Sequence, residues 1–203
     1  MFEKNAITQF PVNQCIANRW SGCAFEPDRL LTQEQIIMLL EAARWAPSCY
    51  GDQPWRFIVC DKRANKEAWD KAYHCISEGN QSWAGNAPLL LLSVADSILS
   101  RNGNPNRWGQ YDTGAASENL SIQATDMGLM VHQMGGFNAE RARDAFIIPE
   151  QFTPMAMLAV GYQLELEKIP NDLLGREIAE RHRNPLGEHF FDGKWDVPIS
   201  TDS

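Results

Sequence analysis

The run Pro88-Leu-Leu-Leu-Leu-Ser-Val-Ala95 constrains the fold more than any other segment. It is the longest apolar stretch and is far short of the roughly 20 residues a membrane helix needs. Leu89 to Ala95 therefore reads as a strand buried on both faces, and such a strand has to be covered from both sides. Candidate neighbours follow from local pattern. Thr32 can cap a helix, with Gln35 completing a capping box. Ile36, Leu40 and Ala43 give that helix a buried face, and Pro47 ends it. Trp55 to Cys60 is aromatic and β-branched, a strand. A polar helix follows, with Trp69, Tyr73 and Ile76 turned inward. Ser97 to Gln110, rich in Asn, Gly, Ser and Pro, reads as a surface loop.

Asp112 to Met127 predicts a helix stopped by Gly128. Its stripe of Leu120, Ala124 and Met127 adjoins small residues (Gly114, Ala115, Ala116, Ser117, Ser121) that permit close approach of another helix. Leu129 to Met134 is strand-like and ends in Gly135-Gly136. Asn138 can cap a short helix that ends before Pro149. Met155 to Tyr162 is the last core strand, and Pro170 to Arg181 a short helix or turn. Helices and strands interleave irregularly, which favours an α+β layered fold over a strict βαβ series.

A length of 203 residues fits one domain, residues 1–203. With 44% hydrophobic residues, a packed core is affordable within that length. The net charge of -8 and pI near 5.0 are the opposite of the basic stripe that marks nucleic-acid binding, so no nucleic-acid partner is expected. Mean hydropathy is -0.37, and no membrane association is expected. The N-terminus shows no basic segment followed by an apolar one, so a cytoplasmic location is expected. Cys15, Cys23, Cys49, Cys60 and Cys75 are odd in number and lack a C-x-x-C pair, which argues against disulfides or a zinc knuckle. The tail from Asn184 to Ser203 carries Phe190, Phe191, Trp195 and Ile199. That is too apolar for a free end, and residues 184–203 read as an arm that docks, a second copy being one candidate surface.

The protein-borne chemistries fail one by one. Gly187 to Lys194 has one residue too many for a P-loop, and Trp195 stands where Ser or Thr is required. There is no G-x-G-x-x-G and no G-x-S-x-G. His74, His132, His182 and His189 are scattered, so no metal site is expected. If the chain is an enzyme, a bound organic cofactor carries its chemistry.

Four segments then stand together: Arg19-Trp20-Ser21; Ala46-Pro-Ser-Cys-Tyr-Gly-Asp-Gln-Pro-Trp-Arg-Phe57; Gly128-Leu-Met-Val-His-Gln-Met-Gly-Gly-Phe137; and Arg181-His-Arg-Asn-Pro-Leu186. In this order, from about Arg19 to Pro185, the chain resembles the FMN-dependent nitroreductase family. The most specific piece is P-S-x-x-x-x-Q-P-W after an amphipathic helix. The resemblance implies a three-layer α/β/α fold with a mostly antiparallel sheet. It also implies an intertwined homodimer with FMN at the interface, and a C-terminal arm that reaches the partner. Hydride would pass in a ping-pong cycle from NADH or NADPH through FMN to a small-molecule electron acceptor such as a nitroaromatic, quinone or enal.

Residue by residue, the resemblance assigns the FMN phosphate to Arg19 and Ser21, with Trp20 between them in the same cofactor-binding segment and Arg181 and Arg183 as a second basic pair. A guanidinium fork and a hydroxyl suit a phosphate. Arg181 and Arg183 could share one phosphate only if that stretch is extended, because in a helix they diverge. Pro47, Ser48, Gly51 and Gln53 fall on the segment that, in this family, comes from the partner to line the isoalloxazine ring. Gly135 and Gly136 fall where the chain passes the flavin edge, although a plain turn would also use them. No catalytic side chain is assigned. Trp20 replaces a second cation of the family pattern, Cys23 replaces a later one, and Gly51 replaces an Asn. Other readings are a specialised flavin enzyme of the same fold (a dehalogenase or flavin-modifying enzyme), a non-catalytic flavin-binding regulatory dimer, and a thiol enzyme using Cys49.

Overall fold

The computed structural model describes residues 2–200. Its centre is one antiparallel sheet of four strands in the order β1-β2-β4-β3: β1 (Trp55–Asp61), β2 (Leu89–Asp96), β3 (Met130–Met134) and β4 (Phe152–Gly161). β2 lies between β1 and β4, with Val59 opposite Leu91 and Leu91 opposite Leu158. Every residue of β2 is buried, as the apolar residues on both of its faces require. Its one hydroxyl, Ser93 Oγ, donates to Ala156 O at 3.1 Å.

Alternation along the strands divides the interior into two cores. Leu89 and Leu91 of β2 join Val131, Leu158 and Val160 beneath α2 (Gln33–Arg44) and α5 (Gly109–Asp126). Leu90, Leu92 and Val94 face the opposite layer with Met157 and Ala159. There they meet Trp69, Ala72 and Cys75 of α3 (Lys66–Cys75), Trp83 of α4 (Glu78–Ala84) and Ala142 of α6 (Ala139–Phe146). The arrangement is the expected three-layer α/β/α fold. Two short helices, α1 (Gln14–Asn18) and α7 (Asn171–Ile178), lie outside this plan near the chain ends.

Local signals set the helix ends. Thr32 and Gln35 form the full capping box of α2, and Asn138 caps α6 through Arg141 N. The inner face of α2 is Ile36, Leu39 and Ala43 rather than one through Leu40, which is half-buried. α5 begins at Gly109, three residues before the expected start, which shortens the preceding loop. Its buried Thr113, Ser117 and Ser121 hydroxyls donate to the carbonyls of Gly109, Thr113 and Ser117 at 2.7–2.9 Å. Satisfied this way, they bury without the penalty of an unpaired polar group. α5 packs on α2 within the chain, and Asn119 Nδ2 donates to Ala42 O across that contact. α4 was not apparent in the sequence, since Glu78 to Gln81 carries no apolar period. Ile76 is buried, but as the cap that ends α3.

Candidate functional site

The expected basic residues converge beside β3. Arg19 is the residue that ends α1, in extended geometry. The Arg181 guanidinium donates to three backbone carbonyls: Lys4 at 2.8 Å, Ala17 at 2.6 Å and Arg19 at 2.8 Å. Burial, and then the charges of Arg19 and Arg183, hold its pKa below the ordinary value, so Arg181 lies within electrostatic range of both. Residues 181–185 are not helical, as a shared ligand requires. Arg181 nonetheless acts as a brace, and Arg19 and Arg183 retain more donors for a ligand. Arg183 donates one bond, to His182 O. Arg19 Nε lies 3.4 Å from Glu118 Oε1, and burial raises the Glu118 pKa against the pull of Arg19. Residues 7–10, Val12 and residues 181–186, Arg181 and Arg183 among them, line a cleft of about 520 Å³.

Trp20 faces the other way. Its indole is 8% exposed, packs on Phe2 at 5.8 Å and carries Lys4 Nζ 4.4 Å above the ring. Only its backbone remains for a ligand. Ser21 is exposed.

Behind this segment lies a layer the sequence did not reveal. Glu177 of α7 is fully buried, and its Oε1 accepts from Cys23 N at 2.7 Å. Lys4 Nζ donates to Glu177 O at 2.8 Å. His132 of β3 donates from Nδ1 to Gly22 O at 3.0 Å, and burial lowers its pKa, so the ring is neutral at neutral pH. Burial pushes the Cys23 thiol up to about 11. The loop after Arg19 is thus pinned from both sides. A single Glu in a short polar helix gives no sign that it will be buried.

Pro47, Ser48, Gly51 and Gln53 lie together in a strained turn between α2 and β1. Tyr50, Gly51 and Gln53 have φ of 55°, 69° and 50°. For Tyr and Gln this costs on the order of 1 kcal/mol each. The turn is fixed by Gln53 N donating to Ser48 Oγ at 3.0 Å and Cys49 N donating to Asp112 Oδ2 at 3.0 Å. The Asp52 carboxylate accepts from Ser100 N at 3.0 Å, from Ser100 Oγ, and from Asn106 Nδ2 at 3.4 Å. Cys49 opens the short turn of residues 49–51 rather than ending α2, which stops at Arg44. Trp55 is a core residue.

Gly135 and Gly136 leave β3 on the same edge as Arg19. A side chain at Gly136 would come within 2.7 Å of Asn80 Nδ2 and 2.8 Å of Ser77 Oγ, while at Gly135 it would meet nothing within 4 Å. Gly136 therefore answers to packing on α4, and Gly135 leaves open surface.

Within one chain the two halves do not meet. Gly22 is tied to β3 and the Pro47–Gln53 turn leads into β1, at opposite edges of the sheet. Three strand spacings, about 14 Å, separate those edges. Two apolar surfaces are also uncovered in the single chain. One is the outer face of α2, with Ile37, Met38 and Trp45, the last 71% exposed. The other is the C-terminal arm. It folds on itself, with Ile199 N bonded to Phe190 O and Phe191 bridging to Pro198, and leaves Phe190, Trp195 and Ile199 exposed. The last three residues of the arm expected over 184–203 lie outside the described residues. Among the described residues, no helix is long and apolar enough to cross a membrane.

Comparison with known proteins agrees with this geometry. A solved structure described as an oxidoreductase containing FMN superposes with a TM-score of 0.86 at 33% identity, covering 96% of this chain and 98% of its own. A nitroreductase family protein from Clostridium difficile 630 superposes with a TM-score of 0.66 at 27% identity, covering 87% and 94%. The FMN reductase [NAD(P)H] of Bacillus subtilis (strain 168) is 23% identical over 185 residues, 80% of this chain and 72% of that protein. Residues 16–162 match the family model of the nitroreductase family, and the chain belongs to that family.

Proposed function

We propose that the protein is an FMN-dependent oxidoreductase that takes reducing equivalents from NADH or NADPH and delivers them to a small electrophile such as a nitroaromatic, quinone or enal. The observation that carries this reading is that Arg181 and Arg183 line one cleft and Arg181 is bonded to the Arg19 backbone, which gathers three arginines in a chain of net charge -8. Glu118 offsets part of this charge at Arg19, and a bound phosphate would offset the rest. FMN fits these residues, and when bound it supplies hydride acceptance and release.

The chain's own groups do the rest. Arg19 and Arg183 hold the phosphate, and the Ser21 hydroxyl adds a bond. Arg181 fixes the backbone that carries Arg19. Gly135 leaves room for the ring, with the Gly136 backbone beside it. Pro47, Ser48, Gly51 and Gln53, on the far edge of each chain, line the ring held by a second copy. The separation of the two halves and the uncovered faces of α2 and residues 184–203 support a homodimer, each arm lying on its partner. We place it in the cytoplasm, as one domain of residues 1–203. No side chain acts as nucleophile.

The test is anaerobic titration of the purified protein with NADH and with NADPH. Loss of the yellow flavin absorbance, restored by a nitroaromatic, is expected. A protein that stays yellow with both donors is a flavin-binding protein without this activity.

A further inference from the structure

The loop that follows β2 carries chemistry the reading above does not use. Residues 97–111 contain Arg101 and Arg107 and no Asp or Glu, in a chain of net charge -8. Among the described residues, neither arginine is paired with a carboxylate. The Arg101 guanidinium lies 3.6 Å from the centre of the Tyr50 ring, and that of Arg107 lies 4.5 Å from the Trp108 ring. Tyr50 is 73% exposed, Tyr111 is similarly exposed, and Trp108 is exposed. Trp108 and Tyr111 are three residues apart at the start of α5, so they share a face.

The loop is hydrogen-bonded to the turn proposed to line the ring site. Asp52 bonds Ser100 and Asn106, and the two arginines directly follow those residues. Ser97 N and Oγ both donate to Gln151 O, and Gly103 N donates to Leu99 O. Tyr50 is the second residue after Ser48 in the same turn. Two cations that rest on aromatic faces, with no hydrogen bond to their N–H groups among the described residues, therefore border the segment proposed to line the flavin.

We infer that Arg101 and Arg107, resting on Tyr50 and Trp108, select a planar substrate that bears an anionic group, a carboxylate or a phosphate. A planar ring can extend the aromatic surface of Tyr50, Trp108 and Tyr111, and a guanidinium fork matches an oxyanion. The inference rests on the oxidoreductase reading and names the substrate class of that site. The anion has two possible sources, an acidic aromatic acceptor or the extra phosphate of NADPH. The two half-reactions separate them.

The experiment uses FMN-loaded wild type, Arg101→Gln, Arg107→Gln and the double variant. Rates of anaerobic bleaching are measured with NADPH and with NADH. Rates of reoxidation are measured with para-nitrobenzoate and with the neutral para-nitrobenzamide. The anionic-to-neutral rate ratio is expected to fall about tenfold in the double variant, a factor of a few for each exposed charge contact. The wild-type ratio should also fall with added salt. A loss confined to bleaching assigns the phosphate of the donor, and a loss confined to reoxidation assigns an acidic acceptor. Ratios unchanged in both half-reactions, in variants that stay yellow and still bleach, overturn the inference. A wild type that bleaches with neither donor overturns the oxidoreductase reading and this one with it.

Discussion

Replacing Arg181 tests whether the basic cluster is built by a brace. Its guanidinium joins the N-terminal segment at Lys4, the end of α1 at Ala17, and the Arg19 backbone, all from the C-terminal side. Arg181→Met keeps the aliphatic stem and removes all three bonds. A bond from a charged donor is worth about 1.5–3 kcal/mol when the acceptor is left dry, and less where water can replace it. These carbonyls are partly buried, so the loss is about 3 kcal/mol in total. In urea that lowers the unfolding midpoint by roughly 1.5 M, for a slope of about 2 kcal/mol/M. Arg19 also loses its fixed position, so FMN affinity should fall about tenfold, the equivalent of one weakened guanidinium contact. Arg181→Lys retains the charge but not the fork, and should recover about a third of the stability. Urea titration and FMN fluorescence titration give both values. A Met variant with the wild-type midpoint and affinity refutes the brace. A Lys variant indistinguishable from wild type shows that charge alone suffices.

Gly136→Ala should cost about 1 kcal/mol in urea unfolding, because Ser77 and Asn80 must swing aside. Gly135→Ala meets nothing in the chain, so its stability should stay within about 0.5 kcal/mol while FMN binding weakens. His132 has a lowered folded-state pKa, so the unfolded chain binds its proton more readily. Stability should therefore fall as pH drops below the unfolded value of about 6.5, and His132→Gln should flatten that slope in pH-dependent unfolding. Burial pushes Cys23 up to about 11 and Cys60 up to about 12 and also raises Cys75. Iodoacetamide at mildly alkaline pH should modify the half-buried Cys15 and Cys49 in the native protein; mass spectrometry showing Cys23 or Cys60 labelled first would contradict the packing.

The layered fold was legible wherever burial is written as a period. Leu89 to Ala95 could only be a strand covered on both faces, and Thr32 with Gln35 marked a helix start because capping is local. α4 was hidden because Trp83 and Ala84, at the end of a polar segment, are buried through contacts distant in sequence. The start of α5 at Gly109 was obscured by the loop-like composition of residues 97–110. At the site, Arg19, Arg181 and Arg183 were found by pattern, but the pattern could not tell a ligand cation from a brace. Trp20 sits in the motif, yet its indole turns inward because Phe2 and Lys4 cover it. Lys4, Glu177 and His132, which pin the Arg19–Cys23 loop, carry no local signal at all. Only the fold brings them together.

In the proposed enzyme, two copies of this chain share each flavin. Sedimentation velocity of the purified protein, followed both by protein absorbance and at the visible band of the flavin, tests it most directly. The yellow species is expected to sediment at twice the chain mass of 22.9 kDa and to carry two FMN per pair of chains. A flavin-bearing species at the mass of one chain, or a dimer that stays colourless after incubation with FMN, would contradict it.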